Sequence, residues 1–329
     1  MFAMKMNRLL LTVAIPVSLV CAAPAAADVV AEVSSLQFHS DFLLNLHHTL
    51  YGAAWARRPE AGTLRAFAGA LPARLDAPLS ADERAAWDAA VVHYDQQVAS
   101  RDLLFGRGMR SLKLALVAGD LSSDAVGTEL RAVLDAAAPV YRRHFWPAHD
   151  RANRAWISTT TGNARGIAPD VVKRLEQLYG VAWFTSPVRV DVVWVGNRQG
   201  AYTTNEPTHV VISTGDPENA AWTAVETVFH EVSHTLVLPI QDKLARALGE
   251  RSKAHSVLWH VVQFYVTGAV VKEALKKRGV DYVPYMYSTG LVDRAWSQYR
   301  KPVEENWAPY VEGKISLDEA IARTVAAVS

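Results

Sequence analysis

His230, Glu231 and His234 stand in the order His-Glu-x-x-His, with uncharged flanks from Val228 to Val237. On an α-helix, positions i and i+4 lie on one face about a turn apart, so both imidazoles can reach a single tetrahedral cation. Glu231 is rotated off that line: too far round to ligate, close enough to hold a water on the cation. Zinc lowers the pKa of such a water to about 7, and an adjacent carboxylate can take its proton as hydroxide attacks a carbonyl. The same carboxyl can then hand the proton to a leaving amine. Five residues meet this spacing by chance often enough that the flanks must decide. Val228, Phe229, Ser233, Thr235, Leu236 and Val237 carry no charge, whereas a solvent-facing helix would show several. An apolar surface almost all round suits a helix buried at the floor of a cleft.

With these residues the chain resembles the zincin metallopeptidases, over roughly residues 188 to 280. The resemblance implies a zinc-dependent peptidase in which an edge strand ahead of the motif helix binds the substrate backbone by β-augmentation. His209 to Thr214 is the candidate strand. The metzincin extension, with Gly and His just after the motif, is absent, because Leu236, Val237, Leu238 and Pro239 follow. The gluzincin pattern takes a glutamate from the next long helix.

A catalytic zinc needs a third protein ligand. Glu250, His255, His260 and Glu273 are the candidates. Glu250 lies in a polar turn, Glu273 among lysines, and His255 close to Lys253. His260 interrupts the apolar run Val257, Leu258, Trp259, Val261 and Val262, where a polar group needs a partner and a metal would be one. The expected metal set is therefore His230, His234 and His260, with His255 or a glutamate as the alternative third ligand. A histidine there departs from the gluzincin pattern. For the oxyanion, the resemblance implies a Tyr or His donor. Tyr265, Tyr285, Tyr287 and His255 are at hand, and Tyr287 is preferred because Asp281 to Gly290 reads as a loop able to fold over a cleft. The expected catalytic pair is Glu231 with Tyr287.

Two further clusters contain metal-ligating types: His39, Asp41, His47 and His48, and His144, His149 and Asp150. Either could line the cleft or hold a second metal. A buried polar pair of His47 with Asp150, joining two helices, is the favoured reading, since buried polar groups usually serve structure.

The elements that must position these residues are mostly helical. Ser80 to Glu83 reads as a capping box opening a long run from Arg84 to Leu104, and Ser123-Asp124 caps a helix to about Val140. Ala168-Pro169-Asp170 opens another that Gly180 closes. Thr161 to Gly166 reads as a loop of small polar residues. Two strands follow, Val188 to Val195 and His209 to Thr214. A helix from about Asn219 to Val237 ends at Pro239, and two more run near Gln241 to Leu248 and Lys253 to Arg278. The tail from Gly290 is helical, with Ser316 as a cap. The fold class is mainly α (α+β): a helical N-terminal region, residues 28–165, then a zinc-dependent catalytic region, residues 166–329, with a small β-sheet.

The chain has 329 residues and a formal net charge of +1, so no basic excess argues for nucleic acid or an anionic membrane surface. Lys5 and Arg8, an apolar run from Leu9 to Val20, and Ala25-Ala26-Ala27 form the three parts of a cleavable signal peptide over residues 1–27. The apolar run is too short to span a bilayer comfortably, so no membrane span is expected once it is removed. The one cysteine, Cys21, leaves with it, so any metal must be held by His and carboxylate ligands. The reading is an exported (periplasmic or secreted) zinc metallopeptidase acting on a peptide or protein. The alternatives are a non-catalytic zinc protein and a zinc hydrolase of amides or esters in cell-wall material.

Overall fold

The structure, a computed structural model, describes residues 28–58, 79–197 and 199–328; the segment read as a signal peptide, residues 1–27, lies outside them. Helix covers 63% of the described residues and strand 8%, so the class is mainly α (α+β) as the periodicities imply.

Strands β1 (Ala31–Val33), β2 (Leu36–His39), β3 (Val188–Val193), β4 (Ala201–Thr204) and β5 (His209–Ser213) form one mixed sheet in the order β1-β2-β3-β5-β4. β2, β3 and β5 run parallel, and β1 and β4 close the two edges antiparallel. Parallel strands are covered on both faces, which is why β3 and β5 read as nearly unbroken apolar runs. Phe38, Val190, Val192, Val210 and Ile212 enter one core, whereas Val193, Val195, Tyr202 and Val211 enter another. The sheet therefore sits between two helical layers. Because β2 pairs with β3, the regions on either side of residue 165 share this one sheet.

The second core is closed by α1 (Phe42–Trp55), α2 (Ala81–His93), α3 (Met109–Val117) and α4 (Thr128–His144). α5 (Trp146–Arg165) runs from this layer to the other: Trp146 packs on the second core, Ile157 and Ala164 lie in the first. The first core is closed by α6 (Ala168–Tyr179), α7 (Ala221–Leu236), α8 (Leu238–Leu248) and α9 (Leu258–Lys276). Short α10 (Tyr285–Ser288) and α11 (Leu291–Ala295) lead to α12 (Ser297–Val311) and α13 (Leu317–Ala327).

Asn45 joins the layers. Its Nδ2 donates to the carbonyls of Asp41 (2.8 Å) and Val192 (3.1 Å), and its Oδ1 accepts from Asn153 Nδ2 and the Trp194 N–H, both at 3.0 Å. A buried amide with both ends occupied costs little and fixes α1, β3 and α5 in register.

Several expected boundaries shift. Ser80 and Glu83 do form a reciprocal capping box, but α2 gives way to a single π-turn over Tyr94–Val98, which brings both Tyr94 and Val98 into the core and ends the run before Leu104. Gly127 replaces Ser123 as the start of α4, and Pro139 is carried inside it. Thr161 to Gly166 is not a loop: His149, Asn153, Ile157, Thr160 and Ala164 form a buried stripe at helical spacing, and that packing overrides the small polar residues. Pro239 does not merely stop α7; it sits in the first turn of α8, where its missing N–H goes unneeded. A 3₁₀ turn, Gly249–Lys253, delays α9 to Leu258. Gly180 closes α6 with φ 67°, and Ser316 caps α13, both as expected.

Candidate metal centre

α7 is buried at every residue from Ala224 to Ser233, Glu226 and Glu231 included, in line with the apolar residues around them. His230 and His234 project from one face with ring centroids 5.0 Å apart. α9 packs across them and brings His260 to 5.2 Å from His230 and 5.0 Å from His234, so the three rings form a nearly equilateral triangle. Gln263 on α9 donates to the His230 carbonyl at 2.7 Å and locks the crossing. One nitrogen from each ring lies within 4.8 Å of the others, and His230 Nε2 is 3.1 Å from His260 Nε2. Two nitrogens bound tetrahedrally to one zinc stand about 3.3 Å apart. The donor set thus fits a zinc-sized cation. Burial pushes the imidazolium forms out: His230 is held well below its ordinary pKa, also by its two neighbours, His234 falls to about 4, and His260 to about 3. Neutral imidazole is the form that ligates.

Glu231 stands beside the triangle. Its Oε2 lies 2.7 Å from the hydroxyl of Thr203 on β4 and 3.9 Å from His234 Nε2. Burial raises its carboxyl to about 7, against the opposing effect of the Thr203 hydrogen bond. A carboxyl so placed beside the three imidazoles can take and return a proton. His230 and Glu231 share a small cavity of about 40 Å³ with Gln199, Ala201, Glu226, Phe264 and Tyr285, enough for a water or two. Across Gln199 lies a larger cavity of about 210 Å³ between Tyr51, Trp55 and Asp102.

The other third-ligand candidates are engaged elsewhere. His255 Nδ1 is 3.0 Å from the Tyr299 hydroxyl, Glu273 pairs with Lys277 at 2.9 Å, and Glu250 is exposed in the 3₁₀ turn. Tyr287 is not at the site. Its ring lies under the Arg300 guanidinium and its hydroxyl bonds Glu304. Tyr285, two residues earlier and on the opposite side of the short α10, lines the cavity in its place. The strand expected at the sheet edge, β5, is internal, and β4 occupies the edge nearest α7.

The remaining histidine clusters are structural. His47 meets the Tyr94 hydroxyl at 2.9 Å rather than Asp150, which pairs with Arg154 in the same helix. His48 faces Tyr202, Asp41 caps α1 through the Leu44 N–H, His144 pairs with Glu83, and His149 bonds Tyr141. None of them lines the cavity beside His230 and Glu231.

Thr203, Glu226 and Phe264 escaped the sequence reading. Glu226 was the most accessible of the three, since it lies one turn before His230 on the same helical face. Among the described residues, His230, His234 and His260 are the one group of three side chains so placed for a metal. No described helix is long and apolar enough to cross a membrane. No family model matches the chain, nor does any curated protein or solved structure.

Proposed function

We propose that this protein is a zinc-dependent hydrolase that cleaves peptide bonds, with His230, His234 and His260 as ligands and Glu231 as general base. The observation that carries the reading is the convergence of three imidazoles from two helices, with the Glu231 carboxyl beside them. Zinc held by those nitrogens supplies a Lewis acid that polarises a carbonyl and acidifies a water. The chain supplies the rest. Glu231, oriented by Thr203, accepts the proton of the attacking water and delivers it to the leaving amine.

The sheet edge supports an extended peptide as substrate. Ser213 N–H donates to the Gly200 carbonyl, and hydrogen-bonded pairs alternate along an antiparallel ladder, so Tyr202 and Thr204 bond toward β5. The backbone groups of Ala201 and Thr203 then point away from β5, at an edge whose four residues are all buried, and the Thr203 side chain reaches Glu231. A peptide that displaced what covers this edge and added as a further strand would run past the proposed metal ligands. Export through residues 1–27 is part of the same proposal, and N-terminal sequencing of secreted material tests it by the appearance of a new terminus near Asp28.

The test of function pairs zinc analysis with a peptide-library digest. The dialysed wild type should hold one zinc per chain and cut the library. Glu231→Gln should keep the zinc and lose about 10³-fold in rate, the scale of a general base. Full activity in that variant removes Glu231 from the chemistry, and absence of stoichiometric zinc in the wild type removes the enzyme reading.

A further inference from the structure

His230 differs from an ordinary metal-binding histidine at its other ring nitrogen. Nε2 faces His260, while Nδ1 is buried and has no hydrogen-bond partner. A ligating imidazole usually donates that second N–H to a carboxylate or carbonyl, which fixes the ring's rotation and tautomer, and removing such a partner costs about 10–100-fold in metal affinity. Something else must hold this ring.

Phe264 lies flat against it, with centroids 3.8 Å apart and planes at 24°. Tyr285 stacks on Phe264 in turn, at 6.0 Å and 20°. Tyr285 is itself fastened: its N–H lies 3.0 and 3.1 Å from the two Glu226 oxygens, and its hydroxyl donates to Glu218 Oε2 at 2.8 Å. Tyr282 donates to the same Glu226 carboxyl at 2.6 Å. Glu226 is fully buried, one helical turn before His230. The contacts therefore make a closed circuit from α7, through the strap 282–285, to Phe264 on α9 and back to His230 on α7. Gly268, one turn beyond Phe264, makes room for it. A Cβ there would stand 2.7 Å from Pro284 Cβ and 3.1 Å from Glu226 Oε1.

We propose that Glu226 and Phe264 are positioning residues for the metal centre: the Glu226 carboxyl anchors the strap, the strap seats Tyr285 and Phe264, and the face of Phe264 orients the His230 ring in place of the missing hydrogen bond. The inference rests on His230 being a metal ligand. It assigns a role to a buried acid other than the proposed general base, and it makes metal affinity depend on the ring of Phe264.

The experiment measures zinc affinity by competition with a chromophoric chelator, and the visible spectrum of the cobalt-substituted protein. Wild type is compared with Phe264→Leu, Phe264→Tyr, Glu226→Gln and a control, Val270→Ala, buried on the same helix outside the circuit. Phe264→Leu and Glu226→Gln should each weaken zinc binding by about 10-fold or more and shift the cobalt bands. Phe264→Tyr should restore both. Val270→Ala should lower the melting temperature and leave affinity and spectrum unchanged. Wild-type affinity with an unchanged spectrum in Phe264→Leu and Glu226→Gln overturns the proposal while the zinc reading stands. A wild type that binds no zinc overturns both. Should the variants fail to fold, the zinc-loaded wild type still decides: a ring stacked on Phe264 has its His230 carbon-bound protons shifted upfield in the NMR spectrum, and unshifted protons overturn the proposal.

Discussion

At the residue scale, a polar side chain in an apolar setting must be satisfied somehow, and at His260 the available answers were a carbonyl or a cation. The structure gives it two imidazoles as neighbours and no carbonyl. His260→Ala should therefore weaken zinc binding by about 100-fold or more, beyond the loss expected for an outer partner. His255→Ala, which removes only a bond to Tyr299, should change it by less than about twofold. Isothermal titration with zinc separates the two outcomes, and equal losses would mean that His260 is a core histidine. The convergence of His230, His234 and His260 was legible because type and spacing carry meaning on one helix and because apolar flanks single out His260 on the next. Tyr287 was misplaced for the opposite reason. Which of two tyrosines on a short strap faces inward depends on where Glu226 takes hold of the backbone, and no periodicity of the strap encodes that.

Among the elements, β4 has most to do with the site and left the faintest trace. Four residues, Ala-Tyr-Thr-Thr, alternate between the side of Glu231 and the layer of α1 and α3, with Thr203 on Glu231 while Tyr202 meets His48 and Thr204 meets the Lys113 ammonium. A strand so short gives no reliable alternation, so β5 was taken for the edge. The long helices were legible because their buried faces repeat over many turns. α5 also carried that repeat, but its glycine and threonines were given more weight than the stripe beneath them. Asn45, where α1, β3 and α5 meet, supplies the prediction at this scale. Asn45→Ala strands the Val192 carbonyl, the Trp194 N–H and Asn153, and should cost about 3 kcal/mol of stability, measured by urea unfolding. A loss below about 1 kcal/mol would show that these groups find other partners.

Across the whole molecule, the buried titrating groups set how stability responds to acid. His47 falls to about 3 and His149 to about 4, chiefly through burial, and His48 and His209 are also held below their ordinary values. Each takes up a proton more readily unfolded than folded, so each withdraws stability as pH drops below about 6.5. The three clustered imidazoles act in the same direction when no metal is bound. Asp41, raised to about 6, and Glu226 and Glu231, raised to about 7, act the other way, because the folded state binds their protons first. Seven imidazoles outweigh three carboxyls. The melting temperature of metal-free protein should therefore fall between pH 6.5 and 5, and a rise on acidification would mean that the carboxyls dominate. Restoring zinc should flatten the upper part of that decline, since bound imidazoles resist protonation.

The pairing of Leu36 with Val188, and of each residue after it along β2 and β3, has a consequence for how the chain comes together. The middle of the sheet joins two stretches separated by nearly all the N-terminal helices, so the entropic toll of closing that long loop falls before any strand contact repays it. A growing polypeptide cannot finish its centre until Val188 to Val193 emerges. Until then the helices formed first have only half a platform to rest on.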